Sequence, residues 1–448
     1  MFLTSWMLNT AYLLLLCIAS PLLCYRALRH GKYLSGWKQK IFGQTPMRES
    51  SCQCVWFHAV SVGEVIQLQK LINHFQAAHP EYEIWITTTT NTGYAVAQER
   101  FPKLQVCYFP LDFSWATRNA IARIRPDAIV LVELELWPNF ILEATRAGLP
   151  VSLINGRVSD SSYRGYRRIR PLVQRLLQRL SVIAVQNPQY AQRLIDLGAN
   201  AERVHVTGSI KFDHVETDRG NSASQHLKSI LNIQEQHQVF VAGSTQSPEE
   251  ALALDCYQQL QHEFPALRLI LVPRHRERFD EVARLVTSRG IPLLRRSGCP
   301  DNLLVTGHTP VDRPAENPVI LLDTLGELAA CWGLADIAFV GGSLTSRGGQ
   351  NMIEPAGYGA AVLFGPHTHN FRDVVELLLT HHAATVVSNF DQLHDRVREF
   401  LKNPHTAQQV GRVAQQLVLA QQGATEATSQ LLSAMLSRQQ APANVRAA

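Results

Sequence analysis

Residues 55–64 read V-W-F-H-A-V-S-V-G-E. Val55 to Val60 are apolar apart from His58, a short run that suits a strand buried on both faces. A helical period then opens at Gly63 and carries Val65, Ile66, Leu68, Leu71, Ile72 and Phe75 on one side. A strand that turns tightly into a helix is the repeating unit of a parallel α/β sheet. The same unit recurs in both directions along the chain. Residues 83–88, 106–109, 128–132, 151–154 and 182–185 are apolar runs with helical spacings between them, and a second series lies at 239–242, 267–272, 319–322, 337–340 and 361–364. This pattern predicts two doubly wound, Rossmann-like domains, with a joint near residue 213 and a polar loop at 216–225 beside it.

Length agrees. At 448 residues the chain exceeds one ordinary core and suits two domains of roughly 150–200 residues each. A hydrophobic content of 46% with 18% charged residues describes a globular protein. The net charge of +5 is small for this length and gives little support to nucleic-acid binding, which usually shows a concentrated basic face. Eight cysteines are scattered at positions 17, 24, 52, 54, 107, 256, 299 and 331. One C-x-C without a second pair makes a poor zinc signature, so these read as thiols in a reducing compartment.

The first acidic residue is Glu49. Before it lie an apolar stretch from Trp6 to Tyr25 and a basic run of Arg26, Arg29, His30, Lys32, Lys38, Lys40 and Arg48. Residues 1–30 are therefore expected to form a membrane anchor, either spanning the bilayer or lying in one leaflet. Cations on its C-terminal side place the rest of the chain at the cytoplasmic face, against anionic head groups. A cleaved signal peptide would carry its charge before the apolar segment, not after it.

Several strand ends carry reactive groups. Glu64 stands in the first turn of its helix, where a carboxylate either complements the helix dipole or serves as a general base. Glu133 and Glu135, in V-E-L-E-L-W-P-N at 132–139, follow a hydrophobic strand, and alternation would point both the same way if the strand continued. Arg164, Arg167, Arg168 and Arg170 form either a solvated face or a grip for phosphate oxygens. Lys211, in G-S-I-K-F-D at 208–213, either holds an anion or is a linker lysine. In the second half, Pro273 and Arg274 end a strand, and 323–328 (D-T-L-G-E-L) is expected to open a helix whose free N–H groups suit a phosphate. The glycine-rich loop R-G-G-Q-N-M-I-E-P at 347–355 runs into a helix, with Asn351 and Glu354 spaced as a capping box or as a ribose clamp.

Together these segments resemble the 3-deoxy-D-manno-octulosonic acid (Kdo) transferase family over residues 10 to about 430. The matching motifs are H-A-V-S-V-G-E at 58–64, T-T-T-T-N-T-G at 87–93, E-L-E-L-W-P-N at 133–139, N-G-R-V-S at 155–159, G-S-I-K-F-D at 208–213, V-P-R-H at 272–275, D-T-L-G-E-L at 323–328, V-G-G-S-L at 340–344 and G-P-H-T-H-N-F at 365–371. The resemblance implies a GT-B glycosyltransferase fold with an N-terminal anchor at 1–30. It further implies an acceptor-binding domain at 31–213, a CMP-sugar-binding domain at 214–430 and a polar tail at 431–448. It implies an inverting transfer of Kdo from CMP-Kdo to a lipid A precursor, lipid IVA, at the inner membrane. Glu64 is implied as the base, with Glu133 and Lys211 in support. Pro273, Arg274, Leu325, Gly326, Glu327, Asn351, Met352, Ile353 and Glu354 are implied as contacts of CMP. Where the family commonly reads R-G-G-H-N, this chain has Gln350, a neutral amide that keeps a hydrogen bond but carries no charge.

Direct displacement by a hydroxyl needs no metal when protein cations hold the leaving phosphate, and no D-x-D clamp stands in the sequence. No cofactor beyond the CMP-Kdo co-substrate is expected. Two other readings remain open at this stage: a UDP-sugar-dependent lipid-disaccharide synthase of the same fold, and a sugar-nucleotide sensor that binds without transferring.

Overall fold

The computed structural model describes residues 2–30, 35–299 and 317–440. It divides into two compact units, Met1–His214 with Gln421–Ala448, and Val215–Ala420.

The first unit is built on β1 (Gln53–His58), β2 (Tyr82–Thr88), β3 (Gln105–Tyr108), β4 (Ala128–Val132), β5 (Val151–Gly156), β6 (Val182–Val185) and β7 (Val204–Val206). All pairings are parallel, in the order β3-β2-β1-β4-β5-β6-β7. Helices cover both faces. One layer packs Trp56, Phe140, Leu153 and Ile183 together, and the other packs Phe57, Leu68, Phe75 and Val130. The strand order reverses between β1 and β4, which makes the crevice beyond their C-terminal ends the ligand-binding place of such a sheet.

The second unit repeats the plan with β8 (Gln238–Thr245), β9 (Leu267–Pro273), β10 (Leu293–Arg295), β11 (Val319–Leu321), β12 (Ile337–Val340), β13 (Ala361–Phe364) and β14 (Ala384–Val386). Their order is β10-β11-β9-β8-β12-β13-β14, again all parallel. Its reversal lies between β8 and β12.

The C-terminal end of the chain differs from expectation. The helix Ala424–Gln440 takes in much of the supposed tail and belongs to the first unit, not the second. Leu432, Met435 and Leu436 are buried in that unit's core beside Phe75 and Ile72, because a period of three to four residues places them on one face of a helix. Asp213 caps this helix, accepting from Gly423 N at 2.7 Å and Thr425 N at 2.5 Å. Residues 441–448 lie outside the described residues. At the N-terminus, Phe2–His30 is one helix with Pro21 inside it. Among the described residues no helix is long and apolar enough to cross a membrane.

Candidate active site

In a parallel sheet every strand delivers its C-terminal end to one edge, and in the first unit that edge collects the acids. Ser61 caps the helix Val62–Ala78, its hydroxyl accepting from Glu64 N at 3.4 Å. The Glu64 carboxylate reaches back to accept from Val60 N at 2.7 Å and from Ser61 Oγ at 2.8 Å. The structural role foreseen for Glu64 is thus real, but it occupies only part of the carboxylate's capacity of about four acceptor sites. Burial raises the Glu64 pKa, the bonds from Ser61 and Val60 oppose the rise, and the charge of Glu133 adds to it.

β4 stops at Val132, and Glu133 turns into the left-handed region with φ 58°. Strand alternation therefore does not orient the two acids after it, contrary to the sequence reading. The turn nevertheless gathers them. Burial, and then the charges of Glu64 and Glu133, push Glu135 up to about 7. Three carboxylates thus interact where the sheet reverses, and Tyr166 joins them, its phenol raised by burial and by Glu135.

Asn155 ties this cluster to Lys211. The penultimate residue of β5, it takes a left-handed conformation (φ 53°), donates to Gln67 Oε1 at 3.0 Å, and accepts from Ile210 N at 3.3 Å. The neighbouring His214 contacts Gln67 O at 2.7 Å, and Lys70 donates to Asp213 O. These bonds tie the segment on either side of the half-buried Lys211 to β5 and to the helix that carries Glu64. His58, at the end of β1, is fully buried and stacks on Phe109 with centroids 3.6 Å apart. Burial lowers its pKa to about 3, so the imidazole is neutral at any physiological pH.

In the second unit the suggested nucleotide contacts also follow strand ends. Pro273 closes β9, while Arg274 beyond it is exposed and anchored by its N–H to Thr245 O at 3.0 Å. Asp323 does not open a helix. Its carboxylate accepts from Arg295 Nε at 2.6 Å and from Ser297 N and Oγ at 2.8 and 2.7 Å. The helix starts only at Leu328 and runs five residues, too short to offer the phosphate the expected dipole. Glu327 accepts from Arg296 at 2.9 Å, Gly326 takes φ 88°, and Leu325 is 70% exposed. Asn351 accepts from Ile353 N at 3.0 Å and donates to Glu354 Oε1 at 2.9 Å, which is a bridge between the two side chains and not the reciprocal capping box. Met352 and Ile353 are buried, and burial raises the pKa of Glu354.

One residue that the sequence reading passed over organises this edge. Glu249 is fully buried and accepts from Gln246 N, Gly342 N, Ser343 N and Leu344 N at 2.7–3.0 Å. It clamps the loop after β12 to the loop after β8, across the place where the sheet reverses. A Cβ on Gly341 would meet Thr245 Cα at 2.5 Å, and one on Gly342 would meet Gln350 Nε2 at 3.2 Å. That loop therefore requires its two glycines and lies against Gln350. The signal was present as an acid at the start of the helix after the domain's first strand, the same position that drew notice to Glu64.

Residues 35–214 match the family model described as 3-deoxy-D-manno-octulosonic-acid transferase (kdotransferase). Over 389 residues the chain is 31% identical to the 3-deoxy-D-manno-octulosonic acid transferase of Haemophilus influenzae, covering 86% of this chain and 88% of that one. The chain belongs to the Kdo transferase family. The Bordetella pertussis Kdo transferase is 32% identical over 384 residues, covering 84% of this chain and 85% of that protein. The UDP-GlcNAc 2-epimerase of Neisseria meningitidis matches with a TM-score of 0.55 at 12% identity, over 85% of this chain and 99% of that one. That likeness concerns the fold alone, and the two Rossmann-like units are those of a GT-B glycosyltransferase. In this Kdo transferase, then, the carboxylate cluster and the Glu249 loop occupy the reversal points of the two sheets. Of the residues foreseen, Glu64 and Glu133 come together with Glu135, and Lys211 lies in a segment whose Asp213 and His214 bond to the same helix. Pro273, Arg274, Leu325–Glu327 and Asn351–Glu354 share one edge of the second unit.

Proposed function

We propose that this Kdo transferase takes Kdo from CMP-Kdo and joins it to a hydroxyl of lipid IVA with inversion, Glu64 acting as the general base. The observation that carries the reading is the clustering of the buried Glu64 with the half-buried Glu133 and Glu135, whose like charges repel. Such an environment raises the proton affinity of a carboxylate, as a base working near neutral pH requires. Glu133 and Glu135 support it, and Lys211 supplies a cation on the same helix-bound segment. In the second unit Arg274 is free to meet the departing phosphate, while Asn351 and Glu354 present an amide and a carboxylate suited to ribose hydroxyls. Gln350, held against the Gly342 loop, offers a neutral hydrogen bond there. With protein cations at the phosphate, turnover is expected to persist in excess EDTA when preformed CMP-Kdo is supplied. Loss of turnover that magnesium restores would refute this.

The exposed apolar side chains of the N-terminal helix, Trp6, Met7, Leu13, Leu14, Leu15 and Ile18, together with the basic run after them, fit a helix lying in the inner membrane surface among anionic lipids. An acceptor that cannot leave the bilayer makes such a placement useful.

Glu64→Gln tests the assignment. It keeps the size and the hydrogen-bonding shape but cannot take the acceptor's proton, so transfer should fall by about 10²–10⁴ while calorimetric CMP affinity stays near wild type. A near-normal rate would leave Glu64 with its capping role only.

A further inference from the structure

The N-terminal helix is inside out. Ser5, Leu8, Asn9 and Tyr12 fall on its covered side, whereas Trp6, Met7 and Leu13–Leu16 are exposed. A helix bound to a domain merely by hydrophobic burial would turn the other way. Its inward polar groups make specific bonds. Asn9 Oδ1 accepts from Ser114 N at 3.0 Å and from Asn139 Nδ2 at 3.1 Å, and Asn9 Nδ2 donates to Ser114 Oγ at 2.8 Å. Tyr12 donates its hydroxyl to Asp112 Oδ2 at 3.0 Å, and its ring stands edge-on to Phe113.

Asp112 is the buried hub. The same carboxylate accepts from Asn139 N at 2.9 Å and Phe140 N at 2.8 Å, in the first turn of the helix Pro138–Arg146. Asn139 Nδ2 also donates to Asp112 O at 2.6 Å. Directly before that turn runs the segment 133–137, which carries Glu133 and Glu135. Beyond its junction with β4, where Glu133 N donates to Ile154 O, the backbone bonds here are Leu136 N to Leu134 O, Trp137 N to Glu135 O, and Ile141 N of the following helix to Trp137 O. Leu134, Leu136 and Trp137 pack on the core, and the ends of the segment are set by Val132 in the sheet and by Asn139 at Asp112.

We propose that Asn9 and Tyr12 are positioning residues for glycosyl transfer, which through Asp112 and Asn139 hold the 133–137 segment so that its acids stand beside Glu64. The N-terminal helix is then part of the catalytic support and not only a tether. This rests on the reading of Glu64, Glu133 and Glu135 as the reacting cluster.

The test uses the full chain with detergent-dispersed acceptor, comparing wild type with Tyr12→Phe, Asn9→Ala and the double variant. Tyr12→Phe keeps the ring against Phe113 and removes only the hydroxyl. A small displacement of reacting groups is enough to cost about tenfold or more in rate, so kcat should fall about tenfold in the double variant. The KM for CMP-Kdo, the Tm, and flotation with phosphatidylethanolamine–phosphatidylglycerol vesicles should stay as in wild type. An unchanged kcat in the double variant would overturn the proposal. So would a fall in kcat that merely follows a lowered Tm or lost flotation. Failure of the underlying reading is seen separately, as wild-type rates in Glu64→Gln and Glu135→Gln.

Discussion

Two carboxylates occupy equivalent places in the two units, each in the first turn of the helix that follows the unit's first strand, yet their surroundings give them different work. Glu249 has its acceptor capacity filled by four backbone N–H groups and is sealed from solvent. Glu64 accepts one N–H and one hydroxyl, and it faces the charge of Glu133. Position alone does not separate a clamp from a base, since both stand in the same pattern of sequence. Occupied lone pairs mark Glu249 as the clamp, and Glu64 keeps the capacity that its proposed role as base requires. The cluster also has a thermodynamic signature. Burial and like charge raise Glu135 from 4.5 to about 7, and burial raises Asp112 from 3.8 to about 7. In that window the folded state binds more protons than the unfolded one, so these two groups make stability decline as pH rises from about 4 to about 7. Urea midpoints measured across this range should show a shallower decline in Glu135→Gln than in wild type. An identical slope would mean that Glu135 ionises as an ordinary carboxylate.

Among the elements, the central strands were legible because they are apolar along their whole length, as a parallel strand covered on both faces must be. The strands that escaped the sequence reading are β7, β10 and β14, each of three residues at a sheet edge. Their side chains are largely half-exposed, so no apolar run marks them. The left-handed turn at Glu133 was hidden as well, because E-L-E-L alternates as a strand would. The helix Ala424–Gln440 was taken in part for a tail because its polar face is rich in Gln and Ser, which masks the period of its buried residues. Those residues make it structural. Leu432→Ala should cost about 2–5 kcal/mol, as large-to-small changes in a packed core do, read as a lower urea midpoint for the first unit. A cost below about 1 kcal/mol would show that this helix is only loosely attached.

For the molecule as a whole, the order of elements, the doubly wound sheets and the edge bearing the site followed from the sequence. What did not follow was the path of the chain. The first unit is discontinuous, opening with a helix whose polar side faces inward and closing with one that returns after residue 420. Neither feature is written in local periodicity, since both depend on contacts between residues hundreds of positions apart. Such contacts, Asp213 to Thr425 and His79 to Ser433 among them, make the first unit depend on its last helix. In the proposed chemistry, the cluster of acids at one sheet reversal acts on a Kdo donor whose nucleotide is held at the other. The most direct test is mass spectrometry of the lipid after incubating the purified full chain with CMP-Kdo and lipid IVA. The account predicts acceptor enlarged by whole Kdo residues, with CMP released in equal amount. Acceptor left unchanged with CMP-Kdo but extended when a UDP-sugar is supplied would contradict it.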